Sequence, residues 1–216
     1  MPQEIVIIGA GGHGREMHDV IEAINAASVT PPWDFLGFID DGQPDLDQLQ
    51  RRGATLLGGR AELATLKDVH FIVGIGSPVA RRQVDAVACV VGLRPATLIH
   101  PSATIGTDVD LAAGVVVCSH VSVTTHVRVG RHTHLNVNST VSHDVALGDF
   151  VTLSPGVTLA GNVTLADDVT MGVSSTVIPG VSIGHGATVG AGGVVVGDLA
   201  ARVTAVGVPA RPIGRH

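Results

Sequence analysis

The 216 residues carry a formal charge of −6 and a pI near 5.9, a balance that excludes a general nucleic-acid binder, which needs a basic face. Glycine contributes 28 residues, aromatics 2% and tyrosine none, so a core must be filled by Val, Ile, Leu and Ala, which suits thin stacked β layers better than a helical bundle. Cys89 and Cys118 are the only cysteines, too few for a disulfide framework, and they predict reduced thiols in a chain long enough for one or two domains.

The opening MPQEIVII lacks a basic segment ahead of its short apolar run, and no later stretch reaches the ~20 apolar residues of a membrane span. A soluble cytoplasmic protein is the expectation. Residues 5–8 predict a strand that runs into Gly9, Gly11 and Gly14, spaced G-x-G-x-x-G, and then a helix over 15–27. FLGFID predicts a second strand ending at Asp40 and Asp41; ATLLG and FIVGIG predict two more, and PVARRQVDAVACVV a second helix. Alternation of this length predicts a parallel sheet with right-handed crossovers, so residues 1–98 form a small α/β domain. The glycine spacing invites a dinucleotide reading. A full dinucleotide fold needs two mononucleotide halves, however, and no clear acidic residue ends the second strand ~20 positions on. What remains is a glycine turn at a helix N-terminus, whose N–H groups cradle an anion. Nicotinamide binding is not expected.

From Ile99 the pattern changes. The chain divides without interruption into seventeen blocks of six, from IHPSAT and IGTDVD to VVGDLA, each led by Ile, Leu, Val or Met and each with a small or aliphatic fifth residue. Six residues make one short strand and a corner, and three sides close an 18-residue triangular coil. Leading residues point inward, fifth residues fill corners, and successive coils stack at the β spacing of ~4.8 Å. Residues 99–216 therefore predict a parallel β-helix. Its pattern is similar to the left-handed β-helix of hexapeptide-repeat acyltransferases, and the hand comes from that resemblance.

The 18-residue period is a ruler. His120, His126 and His132 are six apart, so they fall on three different sides and predict solvated corner histidines instead of a metal cluster. A related class of such prisms, which gathers three histidines between subunits around a metal for carbonic anhydrase chemistry, has two of them five residues apart; no two histidines of the repeats here have that spacing, and no metal is predicted. His143 and Gly161 are 18 apart and stack in adjacent coils. A histidine can take a proton from an incoming amine or hydroxyl, and a glycine admits substrate and turns its N–H to a developing oxyanion. The same residues also suit ordinary corners.

GAGGHGRE, GFIDD, LIHPSATIG, SHDVALGD, LAGNV and VGVPAR occur in the order found in sugar and nucleotide-sugar acetyltransferases. The chain resembles, end to end, the sialic-acid O-acetyltransferases and the bacillosamine and perosamine N-acetyltransferases. The resemblance implies a Rossmann-like N-terminal domain that binds the acceptor, followed by the left-handed β-helix. It implies His143 as general base, Asp144 as its orienting acid and Gly161 as donor to the thioester oxygen. Acetyl-CoA is the implied co-substrate, meeting Thr152, Val173 and Ala191 between the prisms of a homotrimer with intersubunit active sites. Histidine is frequent in the family where Thr152 stands, so that contact differs here. Gly11, Gly12 and His13 would line the acceptor's phosphates or sugar, Asp40 and Asp41 its base or sugar, with Gly76 closing the pocket and Asn136 near the sugar. The leading expectation is N-acetylation of a nucleotide-linked amino-deoxysugar by direct attack, since no cysteine lies near SHD. The alternatives are O-acetylation of a sugar hydroxyl and a non-catalytic sugar-nucleotide sensor.

Overall fold

The computed structural model describes residues 1–214. It divides into a unit of Met1–Pro101 and a second unit from Ser102 onward.

The first unit is a five-stranded parallel sheet. Strand β1 (Gln3–Ile8) leads through the glycine turn into helix α1 (Gly12–Ala27), then β2 (Trp33–Ile39), α2 (Leu46–Gln50), β3 (Leu56–Gly58), β4 (His70–Val73), α3 (Pro78–Val90) and β5 (Arg94–Pro95). The order is β3-β2-β1-β4-β5, and every pairing is parallel. Buried parallel strands read as unbroken apolar runs, and Ile5, Val6, Ile7, Phe71, Ile72 and Val73 are all fully buried. Helix α1 starts at Gly12, three residues before the expected position, because the turn is only Gly9 to Gly11. Gly14 explains the tightness: a Cβ there would lie 1.8 Å from the Gly9 carbonyl oxygen. Gly9 takes a φ of +109°, which favours glycine. Sequence patterning overlooked α2 and β5, each too short for a period to show.

The rings of this unit cluster with histidines. His18, 5% exposed, packs on Phe35 with centroids 4.2 Å apart, and His70 meets Trp33 edge-on at 5.4 Å. Burial pulls His13, His18 and His70 below the ordinary histidine pKa, burial being the largest cause in each case. In the unfolded chain all three titrate near ~6.5. Below that pH the unfolded chain takes up protons that the folded unit resists, so stability is lost progressively on acidification. Trp33 is the only tryptophan, so its fluorescence follows this unit. The urea midpoint it reports is expected to fall between about pH 7.5 and about pH 5.5; an unchanged midpoint would contradict the burial argument.

The second unit is the left-handed parallel β-helix. Strands pair with those 18 residues on, as in Thr140↔Thr158, Ala146↔Thr164 and Thr152↔Thr170, one example from each of three sheets. Leading residues Val123, Val141, Leu159, Val177 and Val195 form a buried inner column, and fifth residues such as Val127, Val145, Val151 and Val157 are buried as well. Two departures occur at the ends. Ile99 leads its block yet is 39% exposed, since a column has a neighbour on one side only where it begins. At the other end Thr188 pairs with Thr204, 16 residues on, and Arg211–Ile213 then returns antiparallel along Thr204–Val206.

Each corner needs one residue in the left-handed region, and three columns supply it. One holds Asp108, His126, Asp144 and Asn162, with φ between 54° and 60°; a second holds His120, Asn138 and Ser174; a third holds His132, Phe150 and Asp168. Asn, Asp and His tolerate this conformation best among residues with side chains, which accounts for their recurrence at these spacings. The histidines spaced by six do stand at three different corners. His120 and His126 are exposed, but His132 is not the solvated corner residue expected: it is fully buried. Phe150, one coil on, stacks on it with centroids 5.6 Å apart and planes at 14°. One coil before, Gly114 leaves room for the ring, which a Cβ would meet at 2.5 Å. Aspartates extend the ladder between coils: Arg131 N–H donates to Asp149 and Asp149 N–H donates to Asp167, at 2.8 and 2.9 Å. Among the described residues no helix is long and apolar enough to cross a membrane.

Candidate active site

His143 follows the strand Thr140–Val141 and immediately precedes the left-handed corner at Asp144. That turn folds the carboxylate back onto the ring, where Asp144 Oδ2 lies 2.7 Å from His143 Nδ1. An aspartate at this distance accepts the Nδ1 proton, and the lone pair is then left on Nε2. The hydrogen bond from His143 is the largest cause holding the Asp144 carboxyl below the usual carboxylate range, with a further contribution from His126. Both side chains stay open to solvent, His143 at 55% and Asp144 at 45%.

Gly161 lies one coil on. A Cβ there would stand 2.4 Å from His143 Cε1 and 2.5 Å from Nε2, so the missing side chain is the space into which the free edge of the imidazole points. The neighbouring Asn162 N–H donates to the His143 carbonyl at 3.0 Å and locks the two coils together. Gly161 is buried, yet among the described residues its own N–H has no acceptor. Beside Ser142 the prism face carries a groove of about 310 Å³ lined by Ser122, Thr124, Thr140, Ser142, Thr158 and Ala160.

Val173 and Ala191 also stack, with Gly192 N–H donating to the Val173 carbonyl at 2.8 Å. Val173 is 49% exposed and continues an outward column from Val137 and Pro155. Thr152 stands elsewhere: it is buried at 7% exposure, in a strand between His134 and Thr170. Asn136 is likewise buried at 7%, and its amide donates to the Leu153 carbonyl at 2.7 Å, the ordinary work of an internal asparagine.

In the first unit the expected acceptor residues separate into two concavities. Asp40 and Asp41 line a cleft of about 220 Å³ with Gly9, Arg60, Ile75 and Gln83, at the carboxyl ends of β1 and β2. Gly12 instead borders an open depression of about 540 Å³ with Arg15, Gln48, Arg51 and Arg52, where Arg52 pairs with Asp19 and Glu22. Asp40 is engaged by the chain itself, its two oxygens accepting from Ala10 N–H at 2.6 Å and Gly42 N–H at 2.7 Å. Asp41 binds Arg60 through side chain and backbone, and the Arg60 backbone N–H is the leading cause of its lowered pKa. His13 bonds Glu16 at 3.2 Å. Gly11, Gly12 and Gly76 have ordinary backbone angles, and a Cβ at Gly11 or Gly76 would meet nothing within 4 Å. Two residues that shape the cleft went unnoticed in the sequence. Arg81, fully buried, donates to the carbonyls of Ile75 and Gly76 at 2.9 and 3.2 Å and sets the loop after β4. Arg60 follows Gly58-Gly59, a glycine pair that could have marked a turn facing the strand ends.

A three-sided coil of hexapeptides is the architecture of the hexapeptide-repeat acyltransferases. The family model for the hexapeptide repeat of succinyl-transferase matches residues 88–119 and 162–197, and the PglD N-terminal domain model matches residues 4–86. A search of curated protein sequences matched none. Among solved structures, a histidine-to-asparagine variant of the perosamine N-acetyltransferase from Caulobacter crescentus, in complex with CoA and GDP-perosamine, is 34% identical with a TM-score of 0.87, covering 98% of this chain and 97% of that one. The acetyltransferase domain of PglB from Neisseria gonorrhoeae FA1090, in complex with acetyl coenzyme A, is 28% identical with a TM-score of 0.85, over 99% and 100%. WeeI from Acinetobacter baumannii AYE is 25% identical with a TM-score of 0.85, over 98% and 100%. This chain belongs to the sugar acetyltransferases that join a PglD-type N-terminal domain to a hexapeptide-repeat prism.

Proposed function

We propose that the protein transfers the acetyl group of acetyl-CoA to the amino group of a nucleotide-linked amino-deoxysugar. The observation that carries the reading is the side-chain space left empty by Gly161 against Nε2 of a histidine held by an aspartate. Perosamine N-acetyltransferase, similar over almost the full chain, was captured with CoA and GDP-perosamine, which supports both co-substrate and acceptor class.

In this scheme the sugar amine attacks the thioester carbonyl carbon directly. His143 Nε2 takes the proton the amine loses, while Asp144 keeps Nδ1 protonated and stabilises the imidazolium that forms. Gly161 N–H donates to the carbonyl oxygen as it gains charge. Collapse breaks the carbon–sulfur bond, and the proton passes from His143 to the departing thiolate. The scheme calls on no cysteine: Cys118 is buried and none lies in the Ser142–His143–Asp144 stretch. Val173 and Ala191, on the outward apolar column, suit the pantetheine arm in a groove between prisms of a homotrimer. Thr152 and Asn136 are too enclosed to serve as more than the floor of such a site. The cleft of Asp41, Arg60 and Ile75 suits the acceptor's base, and the open glycines Gly11, Gly12 and Gly76 leave room for its phosphates and sugar.

The test is a mass-spectrometric screen of UDP-, GDP- and dTDP-linked amino sugars with acetyl-CoA. The expected result is an alkali-stable mass gain of one acetyl group on one of them. An alkali-labile product would establish O-acetylation instead, and no thiol release from any acceptor would overturn catalysis.

A further inference from the structure

We propose that His126 is a positioning residue for acyl transfer, holding the Asp144 carboxylate, and through it His143, in a fixed plane; this rests on the reading of His143 as the base. Asp108, His126 and Asp144 occupy the same left-handed corner in three successive coils. Their side chains therefore rise in one column, alternating carboxylate, imidazole, carboxylate. His126 Nδ1 stands 3.4 Å from Asp144 Oδ1, and His126 Nε2 stands 3.5 Å from Asp108 Oδ2. Arg128 anchors the far end, with Nη2 3.3 Å from Asp108 Oδ1 and Nη1 donating to the Asp108 carbonyl at 3.2 Å.

The consequence lies in how the two Asp144 oxygens are divided. Oδ2 serves His143 and Oδ1 faces His126. A half-exposed carboxylate held through one oxygen alone turns about its last torsion, which is broad for aspartate, and carries the imidazole with it. A second contact at the other oxygen fixes that torsion. A base misplaced by about 1 Å loses rate steeply, so a contact of modest strength can still matter to turnover. None of the groups facing His126 touches the Gly161 side of the ring, so its removal leaves the oxyanion donor untouched. Corner chemistry accounts for the residue types at 108, 126 and 144; what it leaves to explain is the division of the two Asp144 oxygens between His143 and His126.

His126→Asn keeps a residue that tolerates the left-handed corner but cannot span both carboxylates. The expected result is a fall in kcat of about threefold to tenfold, with KM for acetyl-CoA unchanged. In an Asp144→Asn background the same substitution should cost nothing further, because its only route to the base has been removed. Asp108→Asn, which frees the outer end of the ring, should give a smaller fall with the same dependence on Asp144. Parental kcat in His126→Asn, a change confined to KM, or an equal loss in both backgrounds would overturn the proposal. His143→Ala, run alongside, separates the two readings. If it abolishes turnover while His126→Asn does not alter it, the positioning role alone fails; if it retains turnover, the base assignment fails.

Discussion

His143→Ala is expected to lower kcat by about 10²–10⁴-fold while leaving the affinity for acetyl-CoA close to that of the parent. The direction follows from geometry. Nδ1 is committed to Asp144 at 2.7 Å, so Nε2 is the one ring nitrogen available to accept a proton, and it faces the gap above Gly161. Nothing in the prism depends on the ring, which is 55% exposed, so the variant should unfold at the parental temperature. Steady-state turnover with the acceptor found in the screen, paired with calorimetric titration of CoA, separates chemistry from binding. Retained turnover would sink the base assignment.

Gly161→Ala is the second large effect, and it tests the site from the other side. Gly161 has an ordinary backbone conformation, so alanine costs nothing in φ and ψ. Its methyl group would nevertheless stand 2.4–2.5 Å from the His143 ring, about 1 Å inside van der Waals contact. The exposed imidazole yields before the stacked backbone does, and it swings off its line to the substrate. A displacement of that size costs about 10²-fold in rate. The methyl group also crowds the approach to the Gly161 N–H. Expected, then, are a collapse of kcat and a thermal unfolding midpoint within a few degrees of the parent. Parental activity in Gly161→Ala would show that the reacting atoms lie elsewhere. A lost fold would show that the ring is clamped more firmly than its exposure implies.

Where contacts are local and repeated, spacing in the chain is spacing in space. Each coil touches only its neighbours, so the 18-residue period from Ile99 onward is enough to place Gly161 against His143. The ruler slips at the last coil, where Thr188 pairs with Thr204, 16 residues on, and the strand that follows returns antiparallel. In the first unit the strong signals were equally physical, an apolar run for a buried parallel strand and glycines where strand and helix nearly touch.

By itself, then, the sequence determined the two architectures, their order, and the stacking of the base on its glycine, all consequences of periodicity and of glycine's missing side chain. Tertiary structure decided what each polar side chain does with its atoms. It buried His132 against Phe150, turned Asp40 inward to cap its own turn, enclosed Thr152 and Asn136, and set Asp41 beside Arg60 in a cleft apart from Gly12. It also placed His126 on the second oxygen of Asp144. Those outcomes depend on side-chain torsions and on neighbours far away in the chain, and hydrophobic spacing carries no record of either.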